Sequence, residues 1–240
     1  MKKKDQIRLA LQEKLEPLGY RYLKSRTAFR LKVSSSISLY IKYDADCYHQ
    51  GFTDVTLLAC AEYRDIEDVI YELNEETLDV CGHFGFFCRL QWLMPEKESE
   101  VFWDFSFRDD DSEETYNAKL EKLITRMNAY LLPYIEKLAH RESAIEAAKL
   151  LDRRFLIREE FVVPVMYCVW NHDKEAALNY LEEKRLRRLG LVEPEEWSVL
   201  ERMKKGESIN HNEMPFYAIA YEEYVEGAKK CREWIEAQNY

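Results

Sequence analysis

Glycine is scarce in this sequence, with 7 residues in a chain of 240, or about 3% against a typical 7%. Few positions are therefore left for the glycine-rich loops that hold phosphate groups in nucleotide-binding proteins. The short catalytic motifs are also missing: no Gly-x-Ser-x-Gly, His-Glu-x-x-His, P-loop or dinucleotide fingerprint occurs. Catalytic groups can still come together from distant positions, so the absence lowers the expectation of an enzyme without excluding one. No cofactor is expected.

Long apolar runs and paired cysteines are missing as well. No stretch approaches the 18 consecutive apolar residues of a membrane span, and no apolar segment follows the basic amino terminus as it would in a signal peptide. The six cysteines include no Cys-x-x-Cys pair and mostly lie within apolar patterns, as buried thiols do in a reducing compartment. We therefore expect a cytoplasmic protein without a membrane partner, and the oligomeric state stays open.

The sequence also lacks a positive net charge. The chain has 35 basic and 45 acidic residues, which give a formal charge of −10. A non-specific nucleic-acid binder usually has the opposite sign, because neutralising phosphates supplies most of its affinity, so no nucleic-acid partner is expected. The charge is also uneven, with +8 on residues 1–42 and −11 on residues 43–108. This polarity is the clearest sign of function in the sequence.

Hydrophobic spacing predicts an α+β fold. Apolar residues at helical spacing predict a first helix over about residues 3–16. Alternating apolar and polar residues then predict five strands, with another helix between the third and the fourth, and this alternation is typical of antiparallel sheets. The alternating segments are Phe29–Val33, Ile37–Tyr43, Val55–Tyr63, Phe84–Trp92 and Val101–Phe107.

Helical spacing dominates the rest of the chain. Pro133 is expected to kink or end the first of these helices, and residues 159–170 fit either a strand or a helix. We therefore predict two domains. Residues 1–108 form an antiparallel β-sheet with flanking helices, and residues 109–240 form a mostly α-helical region that packs on or beside it.

The amino-terminal segment carries short structural motifs: a helix to Leu15, then Gly19-Tyr20-Arg21, then Phe29-Arg30 at the start of one strand and Phe52-Thr53 at the start of another. In these features residues 1–108 resemble the bacterial family called domain of unknown function 4304. The resemblance implies a helix followed by an antiparallel sheet. The family has no established activity, so it implies no catalytic residue.

Two Cys-x-His pairs are candidate zinc ligands. Cys47 with His49, and Cys81 with His83, each place a thiol and an imidazole on one side of an extended chain, and together they would make a Cys2His2 set. The spacing matches no established zinc signature, which favours a purely structural role for these four residues.

An acidic run precedes the helical half of the chain. Asp109, Asp110 and Asp111 are followed by Ser112 and two glutamates. The run could hold a cation, but Ser112 or Asp111 at the start of a helix favours capping instead. Asp104 and the three aspartates are nevertheless our candidates for contact with a basic partner.

Aromatic and basic side chains lie on the wetter side of the predicted strands. Tyr40 is either covered by the carboxy-terminal helices or available as an aromatic anchor for a partner. Arg30, Lys32 and Lys42 share this side and are candidates for recognising an anionic ligand.

These features leave two functional hypotheses from different classes. The first is a non-enzymatic binding protein whose acidic surface engages a basic protein, with an immunity-type toxin inhibitor as one concrete form. The alternative is a small-ligand binder or enzyme with a pocket between the sheet and its helical cover. A cleft lined by the basic residues and by aromatic side chains would favour the alternative.

Overall fold

The computed structural model describes residues 2–46, 51–73, 86–95, 105–155 and 161–240. The predicted α+β class is confirmed, with an antiparallel sheet in the amino-terminal half and mostly helices in the carboxy-terminal half. The chain divides into two compact units, one made of Met1–Glu67 with Leu78–Ile157 and the other of Asp68–Thr77 with Arg158–Tyr240. The domain boundary after residue 108 stays a prediction.

The first helix, α1, spans Lys3–Leu15 and confirms the predicted start of the fold. Ile7, Leu11 and Leu15 recur every four residues, so they share one face, and all three are fully buried. The helix ends in a short 3-10 turn, after which Gly19 adopts a left-handed conformation with φ +88°. Glycine adopts this backbone conformation without the strain that a Cβ would add.

Six antiparallel strands form one sheet in the order β1-β2-β3-β4-β5, and β6 also pairs with β4. The strands are β1 (Arg21–Leu23), β2 (Ala28–Lys32), β3 (Ile37–Asp46), β4 (Phe52–Tyr63), β5 (Phe86–Arg89) and β6 (Ser106–Arg108). The register is set by pairs such as Phe29 with Ile41 and Arg30 with Tyr40. Because paired residues lie on the same side of a sheet, this register defines its two faces.

The packed face of the sheet carries the main apolar stripe. Its buried residues are Phe29, Leu39, Ile41, Tyr43, Val55, Leu57, Ala59, Ala61 and Tyr63. Two of its tyrosines reach helical backbone: the hydroxyl of Tyr43 donates to the carbonyl of Lys4 at 2.9 Å, and that of Tyr63 donates to the carbonyl of Leu138 at 2.7 Å. Helices therefore contact this face, which is the buried side that the alternating pattern predicted.

The predicted strand over Phe84–Trp92 is confirmed over Phe86–Arg89 and wrong at its end, while residues 84 and 85 lie outside the described part of the chain. The strand β5 stops at Arg89, and Leu90–Leu93 form one helical turn, α3. The cause is the sheet: Arg89 pairs with Leu58, the last partner that β4 offers to β5, and farther along β4 pairs with β6 instead. Of the last predicted strand, Phe107 lies in β6, and residues 101–104 lie outside the described part of the chain.

The helical part of the first unit begins with α4 (Glu113–Arg126), and its predicted cap is confirmed, because the Ser112 hydroxyl accepts from the Thr115 amide at 3.1 Å. The helix widens into a π-helical segment over Met127–Leu131, and α5 (Leu132–Lys137) follows with Pro133 in its first turn. Proline cannot donate a helical hydrogen bond. The interruption predicted at Pro133 is therefore the π-helical segment that comes directly before α5. The helix α6 (Arg141–Phe155) ends this part.

The second unit is helical and resolves the ambiguous segment in favour of a helix. Its helices are α7 (Val162–Asn171), α8 (Lys174–Leu189), α9 (Pro194–Lys204) and α10 (Phe216–Ala237), and residues 68–73 of helix α2 (Arg64–Leu73) belong to it too. Phe161, Leu181 and Tyr224 lie in its core. A Cβ at Gly227 would lie 2.7 Å from the Phe161 ring, so glycine lets α10 pack closely there. Within the described residues, no helix combines the length and apolarity of a membrane span.

Candidate functional site

A cleft of about 320 Å³ opens on the second face of the sheet, opposite the packed face. We call it the arginine cleft; it is lined by Leu23, Arg26, Arg30, Tyr40, Glu62, Arg64 and Glu67. The register explains the meeting of strand residues, because Arg30 pairs with Tyr40 and Ser38 pairs with Glu62. The volume is at the lower end of the range for small-ligand sites.

Backbone turns bring the remaining cleft residues to this face. Arg26 lies in a 3-10 turn between β1 and β2 that ends at Thr27, which has a left-handed conformation with φ +48°. Arg64 opens α2 directly after β4 ends, and its amide donates to the carbonyl of Ser36 at 3.0 Å. The cleft therefore combines four strands, the turn between β1 and β2, and the start of a helix, all within the first unit.

The floor of the cleft is a hydrogen-bonded triad. Tyr40 is only 2% exposed, and its hydroxyl donates to Glu62 Oε2 at 2.5 Å. Arg26 Nη1 donates to Glu62 Oε1 at 2.7 Å and to the Tyr40 hydroxyl at 3.1 Å, and its guanidinium lies 5.4 Å from the centre of the Tyr40 ring. The charge of Glu62 is therefore balanced inside the triad.

The triad also sets the protonation of its members. Burial, followed by the hydrogen bond to Glu62, raises the pKa of Tyr40. The hydrogen bond to Glu62 likewise raises the pKa of Arg26 against the opposing effect of burial. At neutral pH Tyr40 is thus a neutral donor and Arg26 a cation, which gives the cleft a preorganised floor.

Arg30 has a different environment. Its Nε and Nη2 atoms donate to the neutral hydroxyl of Ser38 at 3.3 Å and 3.0 Å, and no carboxylate of the described residues forms an ion pair with it. The residue opposite Arg30 on the edge strand is Arg21, a second cation on the same face. Like charges at paired positions destabilise a sheet, so this corner has positive charge that the described chain does not neutralise.

Arg64 adds to this charge on the rim of the cleft. It is exposed, and its guanidinium makes no ion pair with any residue that the structure describes. The lining contains three arginines and two glutamates, and one of those glutamates is bonded within the triad. Because arginine offers a planar fork of donors and stays protonated, the arrangement suits an anion with several oxygen atoms.

The candidate ligand-binding residues predicted from the sequence do not all line the cleft. Arg30 lines the cleft, whereas Lys32 and Lys42 do not. Lys42 is held by Asp44 at 3.3 Å on its own strand, and Lys32 is exposed near the end of β2. Tyr40 forms part of the floor, so it has no exposed ring to offer as an anchor.

Sequence reasoning missed Arg26, Arg64 and Glu62. Glu62 did have a signal, since it is the one charged residue among the apolar residues of the second half of β4 and lies on the opposite side from Ala61 and Tyr63. The two arginines lie in a turn and at a helix start, where no periodic pattern marks them. Only the hairpin and the β4–α2 junction bring them to the cleft.

The acidic candidates also have different roles. The side chain of Asp111 is 6% exposed and accepts from Lys119 Nζ at 2.9 Å and 3.0 Å and from the Arg108 amide at 2.8 Å. Burial alone would raise the pKa of Asp111, but these hydrogen bonds outweigh it and lower the pKa. Asp110 is 80% exposed and 3.3 Å from Arg108, and Asp109 is exposed. Asp104 lies outside the described residues.

The candidate zinc ligands Cys47, His49, Cys81 and His83 all lie outside the described residues. Across the residues that the structure does describe, no group of three or more His, Cys, Asp or Glu side chains is arranged to hold a metal ion. The zinc hypothesis therefore stays a prediction.

Comparison with family models, with curated proteins and with solved structures found no match to this chain. The resemblance of residues 1–108 to the domain of unknown function 4304 family stays a prediction, as do the cytoplasmic location and the absence of a nucleic-acid partner.

Proposed function

We propose that this chain is a binding protein that recognises an anionic ligand in the arginine cleft. The observation that carries the proposal is the uncompensated charge of Arg30, which is held by neutral Ser38 and lies opposite Arg21. An anion between the cleft arginines would neutralise that charge through charge-assisted hydrogen bonds, each worth about 1.5–3 kcal/mol.

The triad supports recognition rather than acid–base chemistry. Tyr40 and Glu62 are bonded to each other and to Arg26, and arginine does not give up its proton at physiological pH. These groups form a fixed, electrically balanced floor that exchanges no protons with a ligand, while Arg30 and Arg64 supply the charge that neutralises it. The fixed floor also lowers the ordering cost of binding, because Tyr40 is already held in place.

Titration calorimetry with sulfate at low ionic strength tests the proposal. We expect Arg30→Gln to weaken sulfate binding at least about tenfold, which corresponds to about 1.4 kcal/mol. Lys32→Gln is the matched control, because Lys32 lies on the same strand and face but outside the lining, and it should change the affinity less than about threefold. The proposal fails if wild-type protein binds no sulfate, or if both variants weaken binding equally.

The acidic surface supports a second candidate function, the binding of a basic protein. We propose Asp109 and Asp110 for this contact, because both are exposed side by side in the turn between β6 and α4. Such a surface would speed association with a cationic partner, and the effect would weaken with salt.

Titration with a hexalysine peptide tests this second candidate. Asp109→Asn with Asp110→Asn should weaken binding about fivefold at low salt, whereas Glu13→Gln with Glu16→Gln, which removes two charges from other exposed acids of the same unit, should have little effect. Equal loss in both variants would show that only the net charge of −10 matters.

A further inference from the structure

The number and placement of the charges in the arginine cleft indicate which class of anion it recognises. Two lining guanidiniums, those of Arg30 and Arg64, form no ion pair within the described residues, and Arg21 adds a third cation opposite Arg30. The three arginines and two glutamates of the lining sum to a charge of +1, and Arg21 beside them raises the local charge to +2, so complete neutralisation requires a ligand group with two negative charges. A monocarboxylate supplies one.

The two lining guanidiniums that make no ion pair in the described part of the chain come from different elements, and a tetrahedral group can accept from both through different oxygen atoms. Arg30 extends from a central residue of β2, and Arg64 comes from the first residue of α2. One guanidinium fork matches the plane of one carboxylate. Cations that come from a strand and from a helix instead suit a group whose oxygen atoms point in several directions, as those of a phosphoryl group do.

The size of the cleft leaves room beyond the phosphoryl group. Its volume of about 320 Å³ corresponds to about ten water molecules at about 30 Å³ each, which is more than an inorganic phosphate fills. Leu23 provides an apolar wall beside the arginines and lies next to the buried cluster of Ala28, Tyr40, Leu58 and Cys60. An organic group attached to the phosphate would therefore find space and an apolar contact.

We propose that the ligand group of the arginine cleft is the dianion of a phosphate monoester, held by Arg30 and Arg64, with its organic part against Leu23. This inference rests on the proposed function, because it names the class of the anion that the cleft recognises. It differs from that function in one measurable respect: the affinity should follow the charge of the ligand.

The pH dependence of binding shows whether the ligand or the protein changes its charge. The second pKa of a phosphate monoester is about 6, so between pH 7.5 and pH 5.0 it changes from a dianion to a monoanion. The charged or titratable groups that line the cleft are Arg26, Arg30, Arg64, Glu62, Glu67 and Tyr40. Sulfate remains a dianion over this range, so it reports any titration of those protein groups separately.

Calorimetric titrations with four probes test the inference on the full chain: β-glycerophosphate, inorganic phosphate, sulfate and succinate. At pH 7.5 we expect β-glycerophosphate to bind at least about threefold more tightly than inorganic phosphate and at least about fivefold more tightly than succinate. From pH 7.5 to 5.0 its affinity should fall about tenfold, because about one molecule in eleven stays a dianion at a pKa near 6. The affinity for sulfate should change less than about twofold.

Each of the other outcomes would contradict one part of this inference or the proposed function itself. Succinate binding as tightly as β-glycerophosphate would overturn the phosphoryl assignment, and tighter binding of inorganic phosphate would overturn the ester. An equal fall for sulfate would assign the pH dependence to the protein. If no probe binds, sulfate included, the proposed function itself fails. Arg64→Gln should weaken β-glycerophosphate binding at least about tenfold, and Lys32→Gln should leave it within about threefold.

Discussion

The two faces of the sheet are built from the same strands but have opposite tasks. On the packed face, Phe29 and Ile41 are completely buried, and tyrosine hydroxyls reach helical backbone. One residue along each strand, Arg30 and Tyr40 line a cleft with uncompensated positive charge. Burial of apolar area stabilises the first face, whereas the second has only a small buried cluster and keeps two arginines, Arg30 and Arg64, that form no ion pair within the described residues. The two-residue period of a β-strand therefore places the main apolar stripe and the cleft arginines on opposite faces.

The largest expected effect is the loss of folding stability when the packed face is changed. Phe29→Ala removes a fully buried ring that lies 5.1 Å from the Tyr22 ring, and it should lower the free energy of unfolding by about 3–5 kcal/mol in urea denaturation. The same change at Phe216, which is 57% exposed, should cost less than about 1 kcal/mol. Equal losses would contradict the assignment of the packed face to the core.

Alkaline pH should lower the free energy of unfolding through the buried tyrosines. Burial, followed by the charge of Glu136, raises the pKa of Tyr20 to about 12, whereas an unfolded tyrosine has a pKa near 10. Between pH 10 and 12 the unfolded chain releases a proton that the folded protein keeps, so stability falls as the pH rises, by up to about 3 kcal/mol. Burial raises the pKa of Tyr63 as well, which adds a loss of the same sign.

Urea denaturation at several pH values between 9.5 and 11.5 measures this alkaline loss. Tyr20→Phe should make the decline of stability with pH less steep, because that site no longer titrates. A decline of unchanged steepness would show that Tyr20 ionises at the same pH in both states.

Asp111 and Asp110 allow the same comparison between a buried and an exposed side chain. Asp111→Asn removes the ion pair with Lys119 and should cost about 1–3 kcal/mol at pH 7, whereas Asp110→Asn, at an 80% exposed position, should change stability by less than about 0.5 kcal/mol. The folded-state pKa of Asp111 is lowered, so its contribution is present above the unfolded pKa of about 3.9 and is lost as the pH falls through the folded value. The difference between Asp111→Asn and wild type should therefore shrink below about pH 4 in denaturation curves.

The smallest stability effect is expected at the residue that matters most for binding. Arg30→Gln should change the free energy of unfolding by less than about 0.5 kcal/mol, with a tendency to stabilise, because it removes a like charge opposite Arg21. The same variant should lose anion binding about tenfold in the calorimetric titration. A loss of more than about 1 kcal/mol would assign Arg30 to folding and remove the contrast between the two faces.

Much of the first unit can be read from local patterns. Ile7, Leu11 and Leu15 mark α1, and strand alternation separates Phe29 from Arg30, because these signals depend only on the geometry of a helix or a strand. Ser112 is likewise recognisable as a cap from its position before a helical run. The single turn of α3 escapes this logic, because it depends on where β4 exchanges one partner strand for another.

The sequence by itself determined the fold class, the division of the strands into two faces, and Arg30 as a candidate ligand contact, since period and charge are properties of neighbours along the chain. Tertiary structure alone decided that Arg26 from a turn and Arg64 from a helix start join Arg30, that Glu62 is bonded within the triad, and that Lys32 and Lys42 stay outside the cleft. The physical reason is that a binding site depends on distances across strand pairings and turns, and those distances exist only once the chain has folded.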